Sequence, residues 1–213
     1  SGPLLLGAWE MAVDTPHRDR APGVALDDQA RESARLALVA MLAGAPVHRI
    51  AMREAAKRAG VGLATLYKYF GGKEAMVTAV LAPELDDLID RLSAASRNAV
   101  GVKARLRAVL EAGFGFARDH EPAARALILN LPAGVWSDDE TEWPARRRAV
   151  FTQILKNGRH DGSVRGDLAP EVLADLASGA MDQAVQRALR NGEALDPARL
   201  GAEVFALVWP ALS

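Results

Sequence analysis

Apolar residues recur three or four positions apart along most of the chain after residue 26, which is the spacing of one face of an amphipathic helix. No stretch between these segments alternates apolar and polar residues in the way that a strand does. The pattern predicts a helix over 27–43, two short helices within 50–70 of which the second begins at about 63, a helix from 72 or 73 onward, and helices over 102–119, 122–131, 138–157, 170–191 and 197–212. The chain is therefore expected to be all-α.

The stretch between Ile50 and Phe70 is predicted to be a helix-turn-helix. Its inward positions are Ala55, Ala56, Ala59, Leu66, Tyr69 and Phe70. Gly60 stands between the two helices, where it supplies the left-handed backbone conformation that ends the first one. In such a unit the second helix lies in the DNA major groove and the first helix crosses the backbone.

The helix that begins at 72 or 73 has a proline within its apolar pattern. Met76, Val77 and Val80 are predicted to face inward, and Pro83 follows them in the sequence. Because proline has no N–H to donate to the preceding turn, we expect a kink or a break at this position.

Residues 59–76, AGVGLATLYKYFGGKEAM, resemble the DNA-binding signature of the TetR family of bacterial one-component transcription regulators, AGVSxGTLYxYFxxKExL. The matching positions are Ala59, Gly60, Val61, Thr65, Leu66, Tyr67, Tyr69, Phe70, Lys73 and Glu74. The resemblance implies an N-terminal three-helix helix-turn-helix domain at 26–72, followed by a helical ligand-binding and dimerisation domain at 73–213. Residues 1–25 are expected to be a disordered tail or a remnant of cloning, and Arg18 and Arg20 are candidates for a minor-groove arm.

The resemblance and the positions in the two helices predict which residues contact DNA. They are Arg53, Leu63, Ala64, Thr65, Tyr67, Lys68, Tyr69 and Lys73. In the family, the hydroxyls at the positions of Thr65 and Tyr67 meet phosphates or base edges, and the lysine at the position of Lys73 holds the backbone. Two features depart from the family pattern: Gly62 replaces a capping serine, and the first two residues of the second helix are apolar. An apolar tip cannot donate to guanine, but it can lie against a thymine methyl group.

Charge is distributed unevenly between the two parts of the chain. Residues 49–74 contain six basic and two acidic residues, whereas residues 83–213 contain 16 basic and 19 acidic ones. A basic unit on a mildly acidic body is the pattern expected of a protein that meets phosphates with one part. Solvated helix faces would explain the charges alone equally well, so the prediction depends on the motif.

The lack of cysteine and the lack of a long apolar run exclude further kinds of site and of protein. The chain has no cysteine, which excludes disulfides, thiolate metal sites and cysteine nucleophiles. No apolar run approaches the roughly 20 residues that span a bilayer. We expect a cytoplasmic protein with no membrane partner.

The helical body is predicted to bind a small-molecule effector that is largely apolar, because ligand pockets are mainly apolar with a few polar groups. The candidate residues are Phe114, Asn130, Trp136, Trp143, Phe151, Met181 and Gln183. Trp136 and Trp143 lie in the polar stretch VWSDDETEW, where an indole has little reason to be unless it covers something. Packing in the core is the alternative for each residue taken singly.

The last two predicted helices carry wide apolar stripes. The stripes consist of Leu173, Leu176, Ala177, Ala180, Met181, Ala184 and Val185, and of Leu200, Val204, Leu207 and Val208. At least half of these residues are expected to pack within one subunit. The resemblance implies that the rest pair with a second copy, giving a homodimer that presents two helix-turn-helix units to a near-palindromic operator in double-stranded DNA.

The sequence therefore predicts a ligand-responsive transcription regulator, a repressor that a small molecule releases from its operator. One alternative is a helical interaction or small-molecule-binding protein whose motif no longer binds DNA, and another is a helical enzyme. The four histidines are scattered without metal-site spacing, and Gly113 and Gly115 follow no strand that would make a phosphate loop. No catalytic residue, metal site or cofactor is predicted.

Overall fold

The computed structural model of the chain describes residues 28–130 and 143–213. Over these residues it contains helices and no strands, so the predicted all-α fold is confirmed. The elements are α1 (Asp28–Gly44), a 3-10 turn (Val47–Arg49), α2 (Met52–Arg58), α3 (Leu63–Phe70), α4 (Lys73–Asn98), α5 (Val102–Asp119), α6 (Glu121–Asn130), α7 (Trp143–His160), α8 (Pro170–Asn191) and α9 (Pro197–Leu212). The tail at 1–25, Trp136 and the beginning of the helix predicted at 138 lie outside the described residues.

Helices α1 to α3 form a small N-terminal unit, called the head below. Its core consists of Leu38, Leu42, Ala55, Ala56 and Leu66, all of them buried. Gly60 joins α2 to α3 with a φ of 70°, as the sequence predicts. The Val61 N–H donates to the Ala56 carbonyl at 3.0 Å and the Gly60 N–H to the Lys57 carbonyl at 3.2 Å. This pattern pairs the last carbonyls of α2 and ends the helix without a side-chain cap.

Helix α4 is a continuous element of 26 residues that links the head to the rest of the chain. Of the kink or break expected at Pro83, the break does not occur. The proline ring is on the exposed side of the helix, whereas Ala82, Glu84 and Leu85 beside it are buried. Packing on both sides of Pro83 therefore holds the helix together despite the missing N–H.

Helices α4 to α9 make up the body, in which α5 lies between α4 and α9, and α7 packs on α8. Helix α9 approaches α5 closely at Gly201, where an added Cβ would lie 2.5 Å from Cγ of Glu111 and 3.3 Å from the Glu111 backbone. The buried apolar residues of head and body form one connected core that runs from Leu38 to Leu212. None of the described helices is both long and apolar enough to cross a membrane.

Candidate functional site

The outer side of the helix-turn-helix exposes half of the residues that the sequence predicts to contact DNA. The exposed ones are Arg53, Ala64, Tyr67 and Lys68, and the half-buried ones are Leu63, Thr65, Tyr69 and Lys73. Leu66 anchors α3 in the core, while Tyr67, one position later, keeps 48% of its surface exposed. Helix α3 therefore packs by one face and presents the opposite face to solvent.

The head and the first residue of α4 carry a group of cations that have no acidic partner among the described residues. They are Arg49, Arg53, Lys57, Lys68 and Lys73. Arg58 differs from them, because its Nε lies 3.5 Å from a carboxylate oxygen of Glu54. A cation that is not already paired can neutralise a phosphate without first breaking an internal bond, which favours contact with nucleic acid.

Helices α2, α3 and α4 have open N-termini. Ala51, Gly62 and Gly72 occupy the residue before α2, α3 and α4, and none of them makes a side-chain capping hydrogen bond. The first N–H groups of these helices therefore remain available to an outside acceptor. A phosphate suits such a position, because both the N–H groups and the helix dipole favour negative charge there.

A pocket of about 940 Å³, which includes the open solvent at its mouth, lies in the body between α4, α5, α6, α7 and α8. Its mainly apolar wall includes Leu88, Phe116, Leu127, Trp143, Met181 and Val185. Gly113 also lines it, and an added Cβ there would lie 2.3 Å from Sδ of Met181. A cleft with this mainly apolar lining is suited to a small, largely apolar molecule.

Two ion pairs join α7 to α8 along the pocket. Both terminal nitrogens of Arg147 donate to the Asp182 carboxylate, at 2.9 and 2.8 Å, and Arg148 Nε donates to Asp175 at 2.7 Å. All four residues line the pocket. The charged groups that line the pocket therefore neutralise one another within the chain.

The beginning of α7 is tied to α4 by the carboxylate of Asp86. Trp143 Nε1 donates to Asp86 Oδ1 at 3.0 Å, and Arg146 Nη1 donates to the same oxygen at 2.7 Å. The Trp143 ring is buried and its polar nitrogen is satisfied, as is usual for a buried indole. The indole thus closes one side of the pocket and fixes α7 against α4.

Of the residues predicted to bind a ligand, Trp143 and Met181 line this pocket. The structure places four others elsewhere: Phe114 and Phe151 are fully buried in the core, Gln183 is exposed, and Asn130 is fully buried and bonded to the head. Trp136 lies outside the described residues. The sequence analysis missed Leu88 on α4 and the small residues Gly113 and Ala117 on α5. A cavity made by small side chains between helices leaves no motif that would reveal it.

Helices α8 and α9 keep an exposed apolar face. Val172 and Leu176 on α8 are exposed, and Leu207 on α9 is 74% exposed. Other members of the predicted stripes, such as Leu173 and Val204, are buried within the chain. Each stripe is therefore divided between packing inside the subunit and a surface that is open in the single chain.

The chain resembles known proteins both in sequence and in structure. The family described as "Bacterial regulatory proteins, tetR family" matches residues 37–80, from within α1 to the beginning of α4. The HTH-type transcriptional activator FasR of Mycolicibacterium smegmatis is 35% identical over 83 residues, which cover 39% of this chain and 38% of FasR. The HTH-type transcriptional repressor KstR2 of Rhodococcus jostii is 27% identical over 128 residues, which cover 57% of this chain and 61% of KstR2. The chain thus spans less than two thirds of the length of either curated relative.

Solved structures with the same fold cover more of the chain. FadR from Bacillus subtilis, in complex with stearoyl-CoA, superposes with a TM-score of 0.68 at 20% identity over 85% of this chain and 99% of FadR. AibR, in complex with isovaleryl coenzyme A and operator DNA, superposes with a TM-score of 0.68 at 14% identity over 85% of this chain and 98% of AibR. The match at residues 37–80, the two regulators related in sequence and the helix-turn-helix described above lead to one assignment: residues 37–80 of this chain are similar to the tetR family of bacterial regulatory proteins.

Proposed function

We propose that this protein is a ligand-responsive DNA-binding transcription regulator, a repressor that a small molecule releases from its operator. The observation that carries the proposal is the exposed face of α3, with Tyr67 and Lys68 in solvent and a group of unpaired cations in the same small unit. An exposed recognition helix with free cations nearby is suited to a duplex, whose phosphates supply most of the binding energy.

In this proposal α3 enters the major groove and α2 crosses the backbone. Lys73 and the open N-terminus of α4 bind one phosphate. Tyr67 and Lys68 fix the position of α3 along the groove. Ala64 is exposed on the first turn of α3, where its methyl group can meet a thymine methyl. Base recognition therefore combines this apolar contact with the Thr65 hydroxyl and with the shape of the duplex.

The functional unit in this proposal is a homodimer that pairs through α8 and α9. The exposed side chains of Val172, Leu176 and Leu207 supply the apolar centre that such an interface requires. A two-fold axis through this face brings two heads to one side of the assembly, and half-sites one helical turn apart would then be bound together. The expected operator is therefore near-palindromic.

The effector in this proposal occupies the pocket between α4 and α8 and is largely apolar. Neighbours of the same fold support it: the FadR structure holds stearoyl-CoA, and the AibR structure holds isovaleryl coenzyme A together with operator DNA. Helices α4 and α6 both line the pocket and both pack on α1. A ligand that favours one arrangement of these helices changes how often the heads fit adjacent grooves, and so lowers DNA affinity by population shift.

The DNA part of the proposal is tested by salt-dependent binding to duplexes selected with the wild-type protein. We expect Lys73→Ala to weaken binding and to lower the salt slope by about one unit, which is the loss of one phosphate contact. Tyr67→Ala should also weaken binding. The matched control is Arg97→Ala, an exposed cation about 36 Å further along α4 by the helical rise, which should leave both quantities unchanged. A protein that selects no duplex at low salt is instead an interaction or small-molecule-binding protein.

The ligand part is tested with stearoyl-CoA as the first probe. At equilibrium the probe and the operator must weaken each other by the same factor. Gly113→Ala should reduce probe binding, because the new methyl group pushes Met181 into the pocket. The control is Gly179→Ala on α8, where an added Cβ meets nothing within 4 Å. A probe that binds the pocket and leaves operator affinity unchanged would overturn the population-shift scheme. A promoter-driven transcription assay decides between repression and activation.

A further inference from the structure

Asn130, the last residue of α6, is fully buried, and its amide bonds to both the head and the body. Its Oδ1 accepts a hydrogen bond from the Val47 N–H at 2.7 Å. Its Nδ2 donates to the Leu42 carbonyl at 3.2 Å and to the Ala126 carbonyl at 2.7 Å. Because one side of the amide faces an N–H and the other faces two carbonyls, only one orientation of the side chain satisfies all three groups.

The two head groups that Asn130 binds are ones that the chain itself leaves open. Leu42 lies in the last turn of α1, where its carbonyl would ordinarily pair with the N–H four residues later, but that residue is Pro46. Val47 begins the 3-10 turn after Pro46, so its N–H has no partner within the turn. The backbone groups that the connection from α1 to α2 leaves unpaired are therefore hydrogen-bonded by a side chain of the body.

The position of Asn130 on α6 links this connection to the pocket. Ala124, Leu127 and Ile128 of the same helix line the pocket, and Asn130 follows within one turn. Helix α6 packs on α1, so the amide lies at the junction of the two. A buried amide whose donors and acceptor are all used holds its partners in one geometry, because any rotation of the head leaves at least one of them unpaired.

We propose that Asn130 is a positioning residue for DNA binding, which fixes the orientation of the head on the body without touching DNA. The inference rests on the proposed function. It goes beyond that function because Asn130, a residue expected in the ligand pocket, instead sets the distance between the two heads of a dimer. A free head would still bind a half-site, but two free heads would lose their preference for one half-site spacing.

The test uses the whole chain and an operator that the wild type selects from random duplexes. Versions of this operator have their half-sites moved apart or together by one to four base pairs. Asn130→Asp keeps the acceptor for Val47 but cannot donate to Leu42 and Ala126 when ionised. We expect it to lose about tenfold in affinity at the best spacing, since a smaller fraction of dimers has both heads in place. The difference in affinity among spacings should shrink to within about threefold, and the salt slope should stay unchanged because the phosphate contacts remain.

Leu129→Ala, a half-exposed neighbour on α6, is the matched control and should keep the wild-type spacing preference. Lys73→Ala gives the opposite signature, a lower salt slope with the spacing preference intact. A folded Asn130→Asp or Asn130→Ser protein that retains the spacing preference would overturn the proposal. Failure of both variants to fold would also overturn it, because Asn130 would then determine folding and not head position. If the wild type selects no duplex, the proposed function itself fails, which is a separate result.

Discussion

The ion pair between Arg35 of α1 and Glu84 of α4 is the second polar link between head and body, and its removal should measurably destabilise the protein. Arg35 Nη1 donates to the two carboxylate oxygens of Glu84, at 2.6 and 2.7 Å, and to the Val80 carbonyl at 3.1 Å. The two side chains are only 19% and 10% exposed. Glu84→Gln retains the size of the side chain and one acceptor oxygen but removes its charge.

The magnitude follows from the environment of the pair. At an effective dielectric constant of about 20, unit charges about 4 Å apart attract by roughly 4 kcal/mol, and desolvation offsets part of this. Removing one partner of a buried pair typically costs about 3–5 kcal/mol, because the other charge is left alone. Arg35 also pairs with Glu32 at 2.7 Å, which reduces the loss. We therefore expect Glu84→Gln to lower the free energy of unfolding by about 2 kcal/mol, or the Tm by roughly 4–8 °C for a chain of this size.

The assay is urea and thermal unfolding of both variants at one fixed protein concentration, since association also shifts the midpoint. Glu54→Gln is the matched control. Its partner is Arg58, at 3.5 Å, and the two side chains are 49% and 59% exposed, so its effect should stay within about 0.5 kcal/mol. Equal effects of the two substitutions would refute the reasoning and would mean that apolar contacts alone hold α1 against α4.

Three further predictions concern other parts of the fold. Thr152→Val should be neutral or stabilising by up to about 1 kcal/mol in urea unfolding, because within the described residues the buried Thr152 hydroxyl has no hydrogen-bond partner. Gly201→Ala should destabilise by about 1–3 kcal/mol in the same assay, because the new methyl group collides with the Glu111 backbone as well as its side chain. The hydrogen bond from Arg35 holds the pKa of Glu32 below its ordinary value of 4.5, so the ionised carboxylate stabilises the fold above that value and loses this effect as the pH falls through the lower folded pKa. The stability difference between wild type and Glu32→Gln should therefore be present at neutral pH and shrink as the pH falls through the lowered folded pKa of Glu32.

The sequence predicted local structure well because the signals for it are local. The bounds of α5, α8 and α9 follow from Gly101, Pro170 and Pro197, each of which stands at or beside a helix start. Gly60 is identifiable as a helix-ending glycine because only a few residue types adopt positive φ readily. The exposed and buried faces of α3 follow from its period, and so do the positions of Tyr67 and Lys68.

The pocket could not be predicted in the same way, because it depends on distances between helices. Phe114 and Phe151 are large and apolar, as pocket residues often are, but full burial in the core satisfies the same pattern. Asn130 is one of the few polar residues among those predicted to line the ligand pocket. Its partners, Leu42 and Val47, lie more than 80 positions earlier, so the sequence contains no sign of them.

The continuity of α4 through Pro83 has a mechanical consequence. The wall residue Leu88 lies 15 positions after Lys73, so an unbroken helix makes a rigid arm of about 22 Å between the pocket and the proposed phosphate contact. A tilt of roughly 10° about the pocket would move Lys73 by about 4 Å, which is longer than a hydrogen bond. In a two-fold assembly the displacement occurs twice, and a change of about 8 Å is large against the 34–36 Å between successive major grooves on one side of DNA. In the proposed dimer, the continuous α4 would thus convert a small rearrangement in the body into a mismatch of register on the duplex.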